Sequence, residues 1–242
     1  MSKKIRLYFS EKIQSDLIAH LKKDQSHYLK DVMRLKIGET FSIFNTSGEW
    51  NAVIENYEKN SATIKILKKV RSKENENNIW LAFSPIKQNP LNFMIQKTTE
   101  LGIQMFCPIL CNRSSVNNLN TKRVEKIIVE ACEQSNRLSI PKINKLTSFK
   151  FFFNSFPENG TLIFCDINSD NYNIEKNLLK KKKGPICILI GPEGDFSENE
   201  RQLIIEKNDS FSFSLGQNIL RSETAAISAL SIVNSALNLR SI

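Results

Sequence analysis

The sequence predicts an α/β protein in which a small β-barrel precedes a larger domain built on a parallel sheet. Three observations predict it. Short alternating apolar segments fill the chain before residue 70, residues 71–78 are wholly polar, and beyond them apolar runs alternate with helical patterns. A length of 242 residues allows one to two domains. We therefore place the domains at residues 1–73 and 79–242, with a linker at 71–78.

The first domain has four segments rich in β-branched and aromatic residues. They predict strands at residues 5–9, 41–44, 50–54 and 62–67. Residues 45–48, Asn-Thr-Ser-Gly, have the composition of a hairpin turn between two of them. This pattern indicates a small barrel.

A helical stretch at residues 27–35 interrupts these strands. Leu29, Val32 and Met33 recur at helical spacing and predict a buried stripe. The cations Lys30, Arg34 and Lys36 lie outside that stripe and favour contacts with phosphates, although a solvated helix face explains them equally well.

The second domain alternates strands with helices. Apolar runs predict strands at residues 79–83, 104–109, 161–165, 186–190 and 211–214. Helical patterns occupy residues 91–101, 122–134, 174–180, 198–207 and 223–239. Such alternation is typical of a parallel sheet covered on both faces, and such sheets bind ligands in the loops beyond the carboxyl ends of their strands.

Charge is the informative part of the composition. The chain has 34 Lys and Arg against 25 Asp and Glu, a formal net charge of +9, which predicts a polyanionic partner such as nucleic acid or an anionic membrane. With 40% hydrophobic and 24% charged residues, wholesale disorder is excluded.

Membrane attachment and a metal are not expected. No run approaches the roughly 20 apolar residues of a spanning helix, and the start lacks the apolar run of a signal peptide, so we expect a cytoplasmic protein. Five scattered cysteines indicate reduced core thiols. Only Cys107 and Cys111 are close together, and His20 and His27 are far from them, so no metal site is indicated.

The glycine loop, residues 191–195, leaves a wholly apolar predicted strand with the sequence Gly-Pro-Glu-Gly-Asp. Its glycines and proline predict a tight turn, and Ser197 with Glu200 predicts a capping box on the next helix. Because Glu193 and Asp195 would repel phosphate, the loop favours a neutral or cationic ligand such as S-adenosylmethionine. A purely structural turn with surface acids is the alternative.

A second loop, residues 215–225, precedes the last predicted helix. Ser222 or Thr224 is the expected N-cap. The helix itself has a stripe of small and apolar residues that implies tight packing, formed by Ala226, Ala229, Leu230, Val233 and Leu237.

These two loops carry a resemblance to a known family. Residues 191–194, Gly-Pro-Glu-Gly, and 215–225, Leu-Gly-Gln-Asn-Ile-Leu-Arg-Ser-Glu-Thr-Ala, resemble the two diagnostic motifs of the bacterial uracil-N3 methyltransferases of 16S small-subunit ribosomal RNA, a family of the SPOUT class. Further agreement lies at residues 27–36, 96–102, 112–116 and 130–141, so the resemblance covers nearly the full chain.

The resemblance implies a fold and partners. It implies an N-terminal PUA-like RNA-binding barrel and a C-terminal SPOUT domain whose parallel sheet ends in a deep trefoil knot. S-adenosylmethionine is then the methyl donor, 16S ribosomal RNA the substrate, free or in the assembled small subunit, and no metal is required. A homodimer pairing through the knot helices is also implied, with the small-residue stripe at its interface and an RNA site built from both subunits.

The resemblance also implies the donor site. It combines residues of both loops, namely Gly191, Pro192, Glu193, Gly194, Leu215, Gly216, Ile219, Leu220, Thr224 and Ala225. Core packing is the competing interpretation for Leu215, Ile219 and Leu220. The family usually has a glycine at position 195 and an arginine at 218, where this chain has Asp195 and Asn218.

Catalytic and substrate residues follow from the same motifs. Arg221 is expected to orient the uracil and stabilise its charge, with an ion pair to Glu193 or Glu223 as the alternative. Glu223 is the candidate base, or an acid that stabilises the helix dipole.

Arg113 and Arg137 are candidate substrate contacts, or plain surface arginines. A non-catalytic RNA-binding protein, or a related enzyme acting on another RNA, are the other functions that the sequence allows.

Overall fold

The computed structural model describes residues 5–59, 61–73, 75–171, 173–174, 178 and 184–238. The chain forms two compact units. The first comprises Met1–Asn75 with Cys132–Ile140, and the second comprises Glu76–Ala131 with Pro141–Ile242. Our expected domains at 1–73 and 79–242 differ from these units chiefly because Cys132–Ile140 groups with the first unit.

The first unit contains a five-stranded sheet in the order β1-β3-β4-β5-β2. Its strands are β1 Arg6–Tyr8, β2 Ile18–His20, β3 Thr40–Asn45, β4 Gly48–Tyr57 and β5 Ala62–Ser72. The pair β1 and β3 is parallel and the other pairs are antiparallel. Asn45 pairs with Gly48 across the predicted hairpin turn.

Two features of this sheet depart from the expectation. The short strand β2 was not predicted, because it is only three residues long and buries Ala19 alone. The predicted linker begins too early, because β5 continues through Ser72 by pairing Arg71 with Glu49 and Ser72 with Gly48.

The helical stretch is α1 Lys23–His27 followed by a π-helical turn at Tyr28–Val32. Leu29 is fully buried as expected, but Val32 is 58% exposed. The expected stripe is wrong for Val32 because a π turn does not keep the α-helical period. Arg34, with φ of 57°, adopts the left-handed conformation just beyond it.

Arg6 is the reason that Cys132–Ile140 belongs to the first unit. Its guanidinium donates hydrogen bonds to the carbonyl oxygens of Cys132 at 2.9 Å and of Arg137 at 2.8 Å. Glu49 lies 3.4 Å from Arg6 Nε, and both side chains are almost fully buried. Burial lowers the pKa of Arg6 and the carboxylate of Glu49 opposes that change.

The second unit contains a parallel sheet in the order β12-β10-β11-β6-β7-β8, with β9 paired to β7. Its strands are β6 Ile79–Phe83, β7 Met105–Leu110, β8 Lys142–Ile143, β9 Thr147–Ser148, β10 Thr161–Cys165, β11 Ile186–Ile190 and β12 Ser210–Phe213. Every strand pair of this sheet among the described residues is parallel, which confirms the predicted sheet.

The helices are α2 Gln88–Glu100, α3 Thr121–Gln134, α4 Phe149–Ser155, α5 Glu198–Glu206 and α6 Ser222–Asn238. Helix α4, which was not predicted, begins at Ser148, whose hydroxyl accepts a hydrogen bond from the Phe151 N–H. The expected helix at 174–180 lies mostly outside the described residues. Within the described part of the chain, none of these helices is long and apolar enough to cross a bilayer.

The small-residue stripe of α6 is already buried inside this single chain. Four of its residues are 0% exposed, and Leu237 is 5% exposed. Helix α6 contacts α2, and the Asn234 side chain donates to the Leu101 carbonyl at 2.6 Å. The expectation that this stripe faces a second subunit is therefore wrong, because the chain's own core covers it.

Candidate functional site

A cavity of about 820 Å³ opens at the carboxyl edge of the parallel sheet. The segments that follow β6, β10, β11 and β12 line it, and these four strands are neighbours in the sheet. The lining residues are Lys87, Pro90, Cys165, Asp166, Ile167, Ile190, Gly191, Pro192, Glu193, Asp195, Leu215, Gly216, Asn218, Ile219, Leu220, Arg221, Ser222, Glu223 and Ala225. Both the place and the volume are those of a small-molecule site.

The glycine loop forms a turn that its own backbone closes. The Asp195 N–H donates to the Pro192 carbonyl at 2.9 Å, and Asp195 adopts a φ of 62°. A side chain at Gly191 would place its Cβ 2.9 Å from the Phe196 ring, so any larger residue there would force this buried ring to move. The predicted tight turn is confirmed, and Asp195 occupies a left-handed position that aspartate tolerates better than most residues.

The start of α5 fixes the end of the glycine loop. Ser197 and Glu200 form the predicted capping box. The segment after β7 reinforces it, because the Asn112 N–H donates to Glu200 at 2.9 Å and the Asn112 amide donates to the Ser197 hydroxyl at 3.0 Å. The loop is thus attached to two elements of the second unit.

The same segment after β7 also contacts the glycine loop directly. The Ser115 hydroxyl donates to the Glu193 carboxylate at 3.1 Å, and the Arg113 guanidinium donates to the Gly194 carbonyl at 3.2 Å. The exposed side chain of Arg113 therefore lies beside the predicted donor loop.

The arginine loop, residues 215–221, forms fewer hydrogen bonds than the glycine loop. Gly216 has a φ of 127°, and its N–H donates a hydrogen bond to the Ser214 hydroxyl at 3.4 Å. Asn218, Ile219 and Leu220 make no hydrogen bond within the described residues, and Ile219 is 87% exposed. This wall of the cavity is therefore the less constrained one.

Helix α6 begins at the end of the arginine loop. The Ala225 N–H donates to the Arg221 carbonyl at 2.8 Å, and Ser222 is the first helical residue. Our expected N-caps, Ser222 and Thr224, are therefore wrong, since both lie inside the first turn. The Ser222 hydroxyl instead points to the Gly191 carbonyl, at 3.5 Å.

The predicted donor residues converge on the cavity, with two exceptions. All of them line it except Gly194, which packs against Arg113, and Thr224, which is exposed. Arg221 and Glu223 also line it. Within the described residues Arg221 forms no ion pair, so the alternative pairing with Glu193 or Glu223 is not observed.

The predicted substrate residues are divided between the two units. Arg113 belongs to the second unit, whereas Lys30, Arg34, Lys36 and Arg137 belong to the first. The three residues near the π turn are exposed, and Lys30 Nζ lies 5.6 Å from the centre of the Tyr57 ring. Arg137 is only 8% exposed and donates to the Ser139 hydroxyl at 2.9 Å, so the alternative of a surface arginine is wrong.

Sequence reasoning missed the part of the cavity that follows β6 and β10. Lys87 and Pro90 come after β6, and Cys165, Asp166 and Ile167 lie at the end of β10. The signal was present, because the carboxyl ends of all neighbouring strands share one edge of a parallel sheet. Burial raises the pKa of the Cys165 thiol to about 12.

A parallel α/β sheet with a glycine loop and a cavity at its carboxyl edge defines a class of ligand-binding α/β domains. Comparison with known families is more specific. The profile of the RNA methyltransferase domain matches residues 73–234, and that of the RNA methyltransferase PUA domain matches residues 21–67. The chain belongs to the RNA methyltransferase family.

Individual relatives agree over nearly the full length. A protein of Rickettsia conorii named ribosomal RNA small subunit methyltransferase E is 31% identical over 231 residues, covering 94% of each chain. A crystal structure of the enzyme of that name from Neisseria gonorrhoeae, bound to S-adenosyl methionine, has a TM-score of 0.86 and 26% identity, covering 96% of this chain and 97% of that one.

A putative methyltransferase from Legionella pneumophila, in complex with the bound cofactor SAM, has a TM-score of 0.84. Its identity is 27%, and the match covers 96% of this chain and 98% of that one.

Proposed function

We propose that this chain transfers a methyl group from S-adenosylmethionine to N3 of a uridine in 16S small-subunit ribosomal RNA. The observation that carries the proposal is that both motif loops line one cavity at the carboxyl edge of the sheet. The cavity volume of about 820 Å³ lies in the range of small-molecule sites and is large enough for S-adenosylmethionine. Family membership and the names of the relatives support the same reaction.

The residues present fit this donor. Carboxylates of Glu193, Asp195 and Glu223 line the cavity and favour a ligand with ammonium and sulfonium charges. The backbone of Gly191 and Gly216 leaves room for close approach. Bound S-adenosylmethionine would supply an electrophilic methyl group on its sulfonium, and the loops of this chain would hold it.

The acceptor chemistry falls to Arg221 and Glu223. Uracil N3 becomes a good nucleophile as its proton leaves, and the charge spreads to the two carbonyl oxygens. Glu223 would accept that proton, and the guanidinium of Arg221, which has no ion pair within the described residues, would stabilise the anion and orient the base. Alignment of N3 with the methyl group supplies the rest of the acceleration.

The RNA side would use the remaining cations. Arg113 is exposed beside the glycine loop, and Lys30, Arg34 and Lys36 are exposed in the first unit, so they would contact phosphates. We assign Arg137 to the same RNA site, although its described contacts are internal.

The finer architecture belongs to the same proposal. Residues 1–73 would be a PUA-like RNA-binding barrel, and residues 79–242 a SPOUT domain with a C-terminal trefoil knot. The protein would act in the cytoplasm as a homodimer on the small subunit or its RNA. The matched PUA profile and the crossed order of the parallel strands support this reading.

Two experiments test the proposal. Calorimetry with S-adenosylmethionine separates an enzyme from a non-catalytic RNA-binding protein, and absence of binding at millimolar donor would reject the enzyme. Mapping methylated nucleotides in RNA from a deletion strain tests the substrate, and a small-subunit RNA still fully methylated at uracil N3 would reject it.

Salt dependence gives a further check. RNA affinity should fall steeply between 50 and 200 mM salt, by orders of magnitude if about six phosphates are contacted. Donor affinity should barely change, because the donor lies in a cavity lined by both signs of charge. Equal sensitivity of the two affinities would contradict the assignment of the basic residues to RNA.

A further inference from the structure

Asp166 is a buried carboxylate in the cavity that no motif of the sequence identified. It directly follows β10, and its side chain is 5% exposed. It nevertheless lines the cavity, beside the segment that follows β11. A charge in such a place is costly unless partners compensate it.

Partners hold this carboxylate from behind. Arg201 of α5 pairs with Asp166 Oδ2, and the Arg201 guanidinium lies 5.3 Å from the centre of the Phe164 ring. The Asn168 N–H donates to Oδ1 at 2.9 Å. A carboxylate accepts about four hydrogen bonds, so each oxygen has acceptor capacity that these two partners do not use.

The charge balance indicates which ligand group this carboxylate takes. Because Arg201 already neutralises Asp166, a cationic group would gain little from it. Two neighbouring hydroxyls suit it better, since they can donate one hydrogen bond to each oxygen without adding charge.

The position in the sheet points the same way. Strand β10 pairs directly with β11, the strand that leads into the glycine loop. In dinucleotide-binding α/β folds, an acidic residue downstream of the glycine turn binds the ribose hydroxyl of the ligand. Asp166 precedes the glycine turn in the chain, so it corresponds to that residue in chemistry and in its place at the end of a neighbouring strand, and not in sequence order.

We propose that Asp166 binds the ribose hydroxyls of the methyl donor and that Arg201 is a positioning residue that holds the Asp166 carboxylate. This inference rests on the proposed function, because it requires an adenosine-containing donor. It adds a residue outside both motif loops to the recognition of that donor.

The first test needs no variant. Calorimetry compares S-adenosylhomocysteine with its 2′,3′-dideoxy analogue on the wild-type protein. Loss of two hydrogen bonds to a charged acceptor should weaken binding by about tenfold or more. Equal affinities for the two ligands would overturn this inference and leave the proposed function intact. If neither S-adenosylhomocysteine nor S-adenosylmethionine binds, the proposed function is rejected, and this inference with it.

The second test assigns the discrimination to Asp166. Asp166→Asn should discriminate much less between the two ligands, because the amide is neutral and has one acceptor oxygen in place of two. Arg201→Gln is the matched control, which removes the partner but keeps the carboxylate. It should still prefer the ribose hydroxyls, although its overall affinity falls. Full discrimination by a folded Asp166→Asn variant would overturn the inference, and circular dichroism checks the fold of both variants.

Discussion

The two loops that meet at the cavity are held very differently. The glycine loop has a hydrogen-bonded turn, a capping box behind it, and contacts from Arg113 and Ser115. The arginine loop has contacts only at its ends among the described residues, and Ile219 at its centre is 87% exposed. One wall of the cavity is thus preorganised, and we expect the other to become more ordered when a ligand binds.

The largest expected effect concerns the arginine loop. Arg221→Ala should lower methyl transfer by about 100-fold or more, because it removes the cation that stabilises the uracil anion. Donor affinity, measured by calorimetry, should stay close to wild type. Gln217→Ala, an exposed change in the same loop that does not line the cavity, is the control. Wild-type turnover of Arg221→Ala would reject the catalytic role.

Hydrogen exchange compares the two loops directly. Without donor, amides 217–220 should exchange much faster than the amide of Asp195, which is hydrogen-bonded to Pro192. Saturating S-adenosylmethionine should slow residues 217–220 and leave Asp195 almost unchanged, as read by mass spectrometry. Similar protection of both loops before donor is added would remove the contrast between them.

The alkylation rates of Cys165 and Cys111 test how accessible the cavity is, because the first lines it and the second does not. Burial raises the pKa of both Cys165 and Cys111 to about 12, so both are protonated near neutral pH and alkylate slowly. Because the thiolate reacts, alkylation by iodoacetamide should rise about tenfold per pH unit between pH 8 and 11.

The two cysteines should differ in access. Cys165 lines the cavity and should react faster than Cys111, which is buried and does not line it, and donor should protect Cys165 alone. Peptide mapping after timed labelling measures both sites. Equal protection of the two would argue against a donor bound in this cavity.

Asp195 tests whether the glycine loop is fixed in a left-handed turn. At a φ of 62°, glycine has no Cβ to strain, whereas alanine does. Asp195→Gly should therefore be more stable than Asp195→Ala by about 1 kcal/mol, the reverse of the order found in a helix interior. Urea unfolding measures the difference. A more stable alanine variant would contradict the turn.

A pair of serines gives the smallest effect. Ser197→Ala removes the capping box and the contact from Asn112, which should cost about 1 kcal/mol of unfolding free energy. Ser222→Ala, at the start of α6, should cost only a few tenths, because its hydroxyl has a single long contact at 3.5 Å. Thermal unfolding of the two variants should separate the fixed loop from the loose one.

Much of the fold could be predicted from the periodicity of apolar residues and from the residue types in the turns. The strands at 161–165 and 186–190 were located to the residue, since apolar runs of that length fit buried parallel strands. The strands β8 and β9, at two residues each, and α4 are too short for any period to emerge. The π turn at Tyr28–Val32 changed the period that placed Val32 on a buried stripe.

The site was predicted where it coincides with a motif and missed elsewhere. The glycine turn and the capping box are local and can be read from neighbouring residues. Asp166 and Lys87 line the cavity because their strands are neighbours of β11 in the sheet. That strand order cannot be read from the sequence. The same holds for the burial of Arg137, which depends on packing within the first unit.

The first unit combines two segments that are far apart in the chain, Met1–Asn75 and Cys132–Ile140, so it cannot be completed early in synthesis. Its core includes Arg6 and Glu49, and the carbonyl groups that Arg6 contacts belong to residues near 132–137. During synthesis the ribosome must therefore produce about half of the polypeptide before these early charges find their partners. A fragment ending at residue 75 would leave the Arg6 guanidinium without its carbonyl acceptors, so expressing the N-terminal segment alone should give a poorly folded product.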